Sequence, residues 1–372
     1  MARLKNRMPK SFSNLYPMLY SFQNLLRSFY RARTGKRKRN DVVRFEFNLE
    51  RNLINLSTEL KNKTYSPGRY KNFYLYDQKR RLITAAPFRD RVVHHALLQV
   101  IEPIFERMFI YDSYGCRVGK GQHRACNRYQ RFARNNRYVL RCDIQKFYPS
   151  VDHEILLKII NRWLKDKDIM WFIEKILESG KDILKDEYIP TWFPGDNLFT
   201  LLERKRGLPI GNLTSQFFGN VYLNELDHFI KEKLRCRYYL RYMDDFALFH
   251  NSKKVLRDYL REISDFLASL RLVLKKERQF IAPTRIGLDF LGYRIFITHR
   301  LVRKSTVYRY SRKLKRLTED FNKDRIPLEK LKTSLFAWFG HIKHANSYNL
   351  KRITFKLSGL YKLQNENIIR HA

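Results

Sequence analysis

Three aspartates carry the clearest chemistry in this sequence. Asp143 closes a short apolar run, Tyr138 to Cys142, and Asp244-Asp245 sit between two more, Tyr238 to Tyr242 and Phe246 to His250. An isolated Asp-Asp pair is ordinarily an exposed turn. With apolar strands on both sides, this pair instead lies at a hairpin tip beside a buried sheet, where two carboxylates cost free energy unless a cation neutralises them. If the strand ending at Asp143 shares that sheet, three carboxylates meet at one edge. Hard divalent cations want oxygen ligands, and two of them ~3.5–4 Å apart activate a hydroxyl and stabilise a leaving pyrophosphate. The chemistry expected is nucleotidyl transfer, with Asp143, Asp244 and Asp245 holding two Mg²⁺, for which Mn²⁺ can substitute.

The elements that must position these groups follow from periodicity. Leu15, Leu19, Phe22, Leu26 and Phe29 predict a helix within 11–31, and Leu49, Leu53, Leu56 and Leu60 another over 46–63. Between them the run Arg33, Lys36 to Arg39 is either a solvated linker or an RNA-gripping arm. Tyr70 to Tyr76 and Arg81 to Thr84 read as strands, 89–108 as helix, and a further helix starts near His123. Helices are expected from Asp152 to Leu164, Thr214 to Leu234 and 254–270, with Phe290 to Thr298 as a hairpin. Residues 185–206 look irregular. Strands with helices on one face make an α+β layer. Beyond residue 304 Val307, Tyr310, Leu314, Leu317 and Phe321 line one helix face, while Arg309, Arg312 and Arg316 lie largely elsewhere.

Charge narrows the partners. Lys plus Arg is 75 against 36 for Asp plus Glu, a net +39. Solubility asks for only ~2–8; an excess this large points to a polyanion on the surface. No stretch approaches the ~18 apolar residues of a membrane span, and the basic N-terminus lacks the apolar run of a signal peptide. Four cysteines without CxxC spacing support neither a zinc knuckle nor a disulfide framework. A reducing, cytoplasmic setting is expected, bacterial or that of a phage host.

Tyr242-Met243-Asp244-Asp245 resembles the signature hairpin of reverse transcriptases, and Asp143-Ile-Gln-Lys-Phe-Tyr-Pro-Ser-Val-Asp-His resembles their first metal-binding motif. The resemblance runs from about residue 70 to 345. It implies a right-hand polymerase: a basic helical extension (1–68), fingers (69–137), palm (138–299) and helical thumb (300–372). It implies that the Ile144 carbonyl touches a metal and that Tyr148 excludes a ribose 2′-hydroxyl. Arg81 is the first choice for the triphosphate and Arg91 the second, though Arg91 equally suits an ion pair with Asp90 or Glu102. Arg117 and Lys120, in Tyr114-Gly-Cys-Arg-Val-Gly-Lys-Gly, would line the template path, and Phe290-Leu291-Gly292-Tyr293 resembles the primer grip. Lys276 is similar in position to a lysine that protonates pyrophosphate; a solvated lysine is the other reading. Arg309, Arg312 and Arg316 would grip nucleic acid.

The segment Gly207-Leu-Pro-Ile-Gly-Asn-Leu-Thr-Ser-Gln-Phe-Phe-Gly-Asn separates subtypes. Most reverse transcriptases carry Gln-Gly-x-x-x-Ser-Pro, against the template base and the incoming nucleotide. Here Ile210 replaces the Gln before Gly211, and Gln216 replaces the Pro. This pairing, with Gly340-His-Ile-Lys-His-Ala-Asn-Ser-Tyr348, resembles enzymes of diversity-generating retroelements, from the lineage of group II intron reverse transcriptases. The resemblance implies a structured template RNA copied into cDNA from dNTPs, errors at template adenines, and a small basic oligomeric accessory protein. Too few residues follow 346 for an RNase H, HNH or integrase domain. A phage-defence or other bacterial reverse transcriptase is the alternative, and a non-catalytic RNA-binding scaffold a third. His341 and His344 suggest core or RNA contact before metal.

Overall fold

The computed structural model describes residues 11–76, 80–181, 183–187, 191–197 and 199–358, without the side chains of 201 and 202. Residues 1–10 and 359–372, at the two ends of the expected extension and thumb, lie outside them. The chain forms two compact units. The first comprises Met1–Arg117, Arg141–Phe246 and Arg257–Gln279; the second comprises Val118–Leu140, Ala247–Leu256 and Phe280–Ala372.

In the first unit the predicted N-terminal helix is broken in two, Tyr16–Tyr20 and Phe22–Arg33. Ser21 takes an extended conformation between them, and its side chain accepts from the Asn24 amide as an N-cap. The predicted 46–63 helix begins only at Leu49, and a separate helix, Asn40–Phe47, precedes it. Its Glu46 pairs with Arg33, whose guanidinium also lies over the Phe29 and Tyr30 rings. The long helix Phe88–Glu106 buries Val92, Val93, Ala96, Leu97 and Ile101. Strands β1 (Lys71–Tyr76) and β2 (Arg80–Ala85) pair antiparallel, Lys71 opposite Ala85 and Tyr76 opposite Arg80.

One helix escapes the sequence reading. Lys167–Glu178 buries Ile169, Phe172, Ile173 and Ile176, a helical stripe. Asp166 caps it by accepting from the Asp168 and Ile169 amides. The same carboxylate accepts from Leu15 and Tyr16 at the first helix. Four amide donors hold its carboxyl below the usual range against the cost of burial.

Strands β3 (Tyr138–Asp143), β4 (Tyr239–Tyr242), β5 (Asp245–His250) and β6 (Phe280–Pro283) form a sheet in the order β4-β5-β3-β6. The helix Leu213–His228 is buried along most of its length and continues as a π-helical turn, Phe229–Lys233.

In the second unit the expected hairpin becomes a three-stranded antiparallel meander: β7 (Leu288–Phe290), β8 (Tyr293–Ile295) and β9 (Arg300–Val302). Helices Lys304–Asn322, Leu328–Ile342 and Tyr348–Leu357 follow. Leu314 and Leu317 pack with Leu331 and Leu335, and Tyr310 and Phe321 close over them. The α+β architecture expected from the sequence is what the molecule shows. No helix among the described residues is long and apolar enough to cross a membrane, and no disulfide joins the four cysteines.

Candidate active site

Strand β3 delivers Asp143 and the two-residue turn Met243-Asp244 delivers Asp244. The backbone binds the two together: the Ile144 amide donates to the Asp244 carbonyl at 3.3 Å, and the Lys275 amide to the Asp143 carbonyl at 2.8 Å. Burial, with Asp143 beside it and then Asp245, pushes the Asp244 carboxyl up to about 7. Two half-buried acids side by side favour a cation between them.

The third carboxylate goes elsewhere. Among the described residues no three His, Cys, Asp or Glu side chains are grouped closely enough to hold a metal, and Asp245 is engaged by Arg141. Residues two apart on a strand share a face, so Arg141 flanks Asp143 on β3, and its Nη2 donates to both Asp245 oxygens at 2.6 Å. A buried guanidinium next to a free carboxylate takes it. The sequence reading treated Tyr138 to Cys142 as an apolar strand and passed over the arginine inside it.

A second overlooked arginine holds the turn. Arg241 has no exposed surface and forms a two-pronged pair with Asp227, Nε to Oδ1 at 2.8 Å and Nη2 to Oδ2 at 2.6 Å. Its Nη1 donates to Asn220 and to the Met243 carbonyl at 3.2 Å, and its Nη2 also donates to Ser113. Met243 is left-handed, φ 54°, a cost a non-glycine residue bears only when its surroundings impose it. Gly115 packs against it so closely that a Cβ there would lie 2.6 Å from the Met243 Cγ. Asn220 in turn donates to the Gly115 carbonyl at 2.8 Å.

The nucleotide-side candidates divide. Burial, then Cys116 and Asp244, push the Tyr148 hydroxyl up, while Arg81 acts against the shift. Arg81 offsets part of the Asp244 shift as well, so Tyr148, Arg81 and Asp244 share one electrostatic neighbourhood. The Leu208 amide donates to the Tyr148 carbonyl, and the Thr84 amide to the Ile210 carbonyl at 2.7 Å. Gly211, at φ 124°, has no room for a side chain, since a Cβ would meet the Thr84 oxygen at 2.8 Å. Ile210 thus precedes the helix Leu213–His228, on which Gln216 sits half-buried.

Arg91 is not brought to this group. Its Nε donates to the Ala86 carbonyl and its charged neighbours are Arg39 and Asp41. Nor does it pair with Asp90, which accepts from the Tyr65 hydroxyl and the Gly68 amide. Arg117, expected on the template path, is spent inside the protein: its three nitrogens bond Glu106 and the Ile110 and Ser113 carbonyls. Lys120 is half-exposed. Lys276 is exposed, in a short 3₁₀ turn one residue after the amide bound to Asp143. In the second unit Phe290 stacks on Tyr129, Tyr293 is buried, and Leu291-Gly292 form a tight turn at φ 47° and 85°. Arg312 and Arg316 are exposed on the helix Lys304–Asn322 and Arg309 is partly so.

Antiparallel strands and helices carrying a half-buried aspartate turn make an α+β polymerase fold. The chain belongs to the reverse transcriptase (RNA-dependent DNA polymerase) family, whose model matches residues 68–295. It is similar to Protein YkfC of Escherichia coli K12, 26% identical over 294 residues, 68% of this chain and 72% of that protein. It is also similar to the group II intron-encoded protein LtrA of Lactococcus lactis, 25% identical over 241 residues. That match takes in 63% of this chain and only 38% of LtrA's length. Nuclear intron maturase 1, mitochondrial, of Arabidopsis thaliana is 30% identical over 99 residues, 26% of this chain and 14% of that protein.

Two predictions follow from these contacts. Arg241→Met strands the Asp227 charge and is expected to cost ~3–5 kcal/mol in urea unfolding. Asp227→Leu added to it should restore most of that stability without restoring polymerisation, because Met243 still lacks its anchor. Full activity in the double variant would reduce the network to a folding device. Asp244→Asn should stabilise the metal-free protein at pH 8. The folded pKa, about 7, exceeds the unfolded value, ~3.9, so the stability its protonated form contributes is lost as pH rises through 7. Melting with EDTA at pH 5 and pH 8 should show the parent losing stability over that range and the variant losing less; equal losses would sink the assignment.

Proposed function

We propose that this chain copies a structured template RNA into cDNA by two-metal nucleotidyl transfer, with errors concentrated at template adenines. Asp143 and Asp244 are the fitting ligands for divalent cations, Mg²⁺ or Mn²⁺, with the Ile144 carbonyl beside them. Bound there, such cations supply Lewis acidity for the attacking hydroxyl and the departing pyrophosphate. Asp245 joins them only as Arg141 yields it. Arg81 meets the triphosphate and Tyr148 lies under the sugar, while Lys276 is the candidate proton donor to pyrophosphate. The turn Phe290–Tyr293 steadies the primer. Lys120, Arg309, Arg312 and Arg316 meet nucleic-acid phosphates.

One observation carries the error-prone reading. Ile210 and Gln216 stand where most of the family has Gln and Pro, in a segment whose backbone is clasped to β2 by Thr84. A Gln hydrogen-bonds a nucleotide or template edge and a branched alkyl group does not; each such polar contact is worth ~1–3 kcal/mol of discrimination. A small basic oligomeric partner would present the template RNA.

Tyr148→Ala removes bulk under the sugar and should admit rNTPs in primer extension on poly(rA)/oligo(dT), where the parent takes dNTPs; unchanged preference moves the gate elsewhere. Sequenced cDNA of the parent should show adenine errors well above those at other bases. Ile210→Gln is then expected to lower them several-fold while keeping the extension rate. A parent equally accurate at all four bases would point to another bacterial reverse transcriptase, such as a phage-defence enzyme. An equally error-prone variant would make Ile210 a marker without effect.

A further inference from the structure

Asparagine caps a helix as well as any residue, through a side-chain oxygen that accepts from the first-turn amides. Asn212 stands at the N-cap of the helix Leu213–His228, with an extended backbone, but its side chain makes no capping bond. It is buried, with 4% of its surface exposed, and it hydrogen-bonds the Tyr70 hydroxyl instead. A local preference has given way to a tertiary contact, two residues after Ile210.

Tyr70 is half-buried and directly precedes β1. Its hydroxyl lies 3.2 Å from Oγ of Ser179, the first residue beyond the helix Lys167–Glu178. A serine has one hydroxyl hydrogen, and Ser179 donates its own to the Ile176 carbonyl at 2.7 Å. Tyr70 is therefore the donor to Ser179, and its oxygen is left to accept from the Asn212 amide group. The relay runs from Asn212 through Tyr70 to Ser179 and ends on the last turn of that helix.

The next residue, Gly180, makes a second support. It packs against Pro209 so closely that a Cβ would lie 2.4 Å from the Pro209 Cγ. Proline has no N–H to anchor it, so packing sets its place. Pro209 and Asn212 bracket Ile210-Gly211, and both rest on one helix end, at residues 180 and 179. Asp166 caps the other end of that helix. Tyr70 and Ser179 also line an open cleft of about 1000 Å³. With space on that side of the ring, hydrogen bonds rather than surrounding bulk hold it.

We propose that Tyr70 and Asn212 are positioning residues for nucleotide selection: through the backbone of 209–212 they fix where the side chain at 210 meets the nascent base pair. This role rests on the reverse-transcriptase reading. Both act through the backbone and not by touching the substrate. Without the Tyr70 hydroxyl, Asn212 is free to turn back to the uncapped amides, and the segment before the helix loses its hold on Ser179.

The test is steady-state primer extension by the full chain on a primed RNA template carrying all four bases, with each dNTP varied and melting read on the same preparations. Tyr70→Phe deletes one oxygen and keeps the ring. It should raise KM for the correct dNTP several-fold with kcat held within about twofold, and shift the ratio of wrong to right incorporation several-fold. Asn212→Ser keeps a capping hydroxyl but is too short to reach Tyr70, and should do the same. The double variant should match either single one, because both break one relay. A purely structural role would lower the melting temperature, and kcat through lost active protein, while leaving KM and the incorporation ratio alone. That pattern overturns the proposal, as do additive effects in the double variant. Were Tyr70→Phe to fail to fold, Asn212→Ser decides by the same KM and ratio. A parent that extends no primer counts against the reverse-transcriptase reading, and this role falls with it. A parent that extends, with KM and ratio unmoved in the variants, counts against this role alone.

Discussion

Asp227 and Arg241 face each other with no exposed surface on either side chain, and the geometry of the carboxylate turn depends on that pair. A buried ion pair rarely adds net stability, because desolvating two charges consumes most of what their attraction returns. What it supplies here is direction. The guanidinium is planar, so once two of its edges are fixed on Asp227 the remaining N–H groups point at Asn220, Ser113 and the Met243 carbonyl. A left-handed methionine is thereby held in place next to Asp244. The hydroxyl of Tyr239 adds a further donor to Asp227 at 2.6 Å, leaving the carboxylate little freedom to swing.

The same logic explains how so basic a chain keeps acids together. With a net +39, cations are plentiful, and any free carboxylate attracts one. Asp245 is captured by Arg141. Asp152 and Asp196 are shared between Arg204 and Arg271. Asp244 lies half-buried beside another acid, so its proton affinity rises, whereas Asp245 is matched to an arginine. Protection from the protein's own cations is a condition for offering a carboxylate to an external one.

Much of this was legible in the sequence, and the gaps have physical causes. The apolar run before Asp143 and those on both sides of Asp244-Asp245 announced a buried sheet carrying acids, and the stripe of Tyr310, Leu314, Leu317 and Phe321 packs as its spacing implies. Periodicity sees apolar residues only, so Arg141 and Arg241 looked like interruptions when they are the groups that direct the acids. Both stand just ahead of an aspartate on a strand, a signal open to reading. The helix Lys167–Glu178 was equally open, with Asp166 at its cap. Arg117 and Arg91 differ in kind. Whether an arginine faces solvent or a distant carbonyl is decided by tertiary approach, as when Arg117 finds Glu106 and two loop carbonyls, and no local pattern encodes that.

Ile210 shows how a side chain can change without disturbing the backbone around it. The contacts at residues 208 and 210 are main-chain ones: the Thr84 amide on the Ile210 carbonyl, and the Leu208 amide on the Tyr148 carbonyl. Gly211 must stay glycine because the Thr84 oxygen fills the space of a side chain. None of these constraints involves the side chain at 210, which is only half-buried. The backbone thus delivers whatever residue stands there to the same place beside the strand that bears Arg81. Residue 210 is free to vary in polarity without cost to the carboxylate turn, which Arg241 anchors from other elements. The polarity of residue 210 and the carboxylate turn are separable in this fold because one belongs to a side chain presented by main-chain bonds and the other is main chain held by a buried side chain.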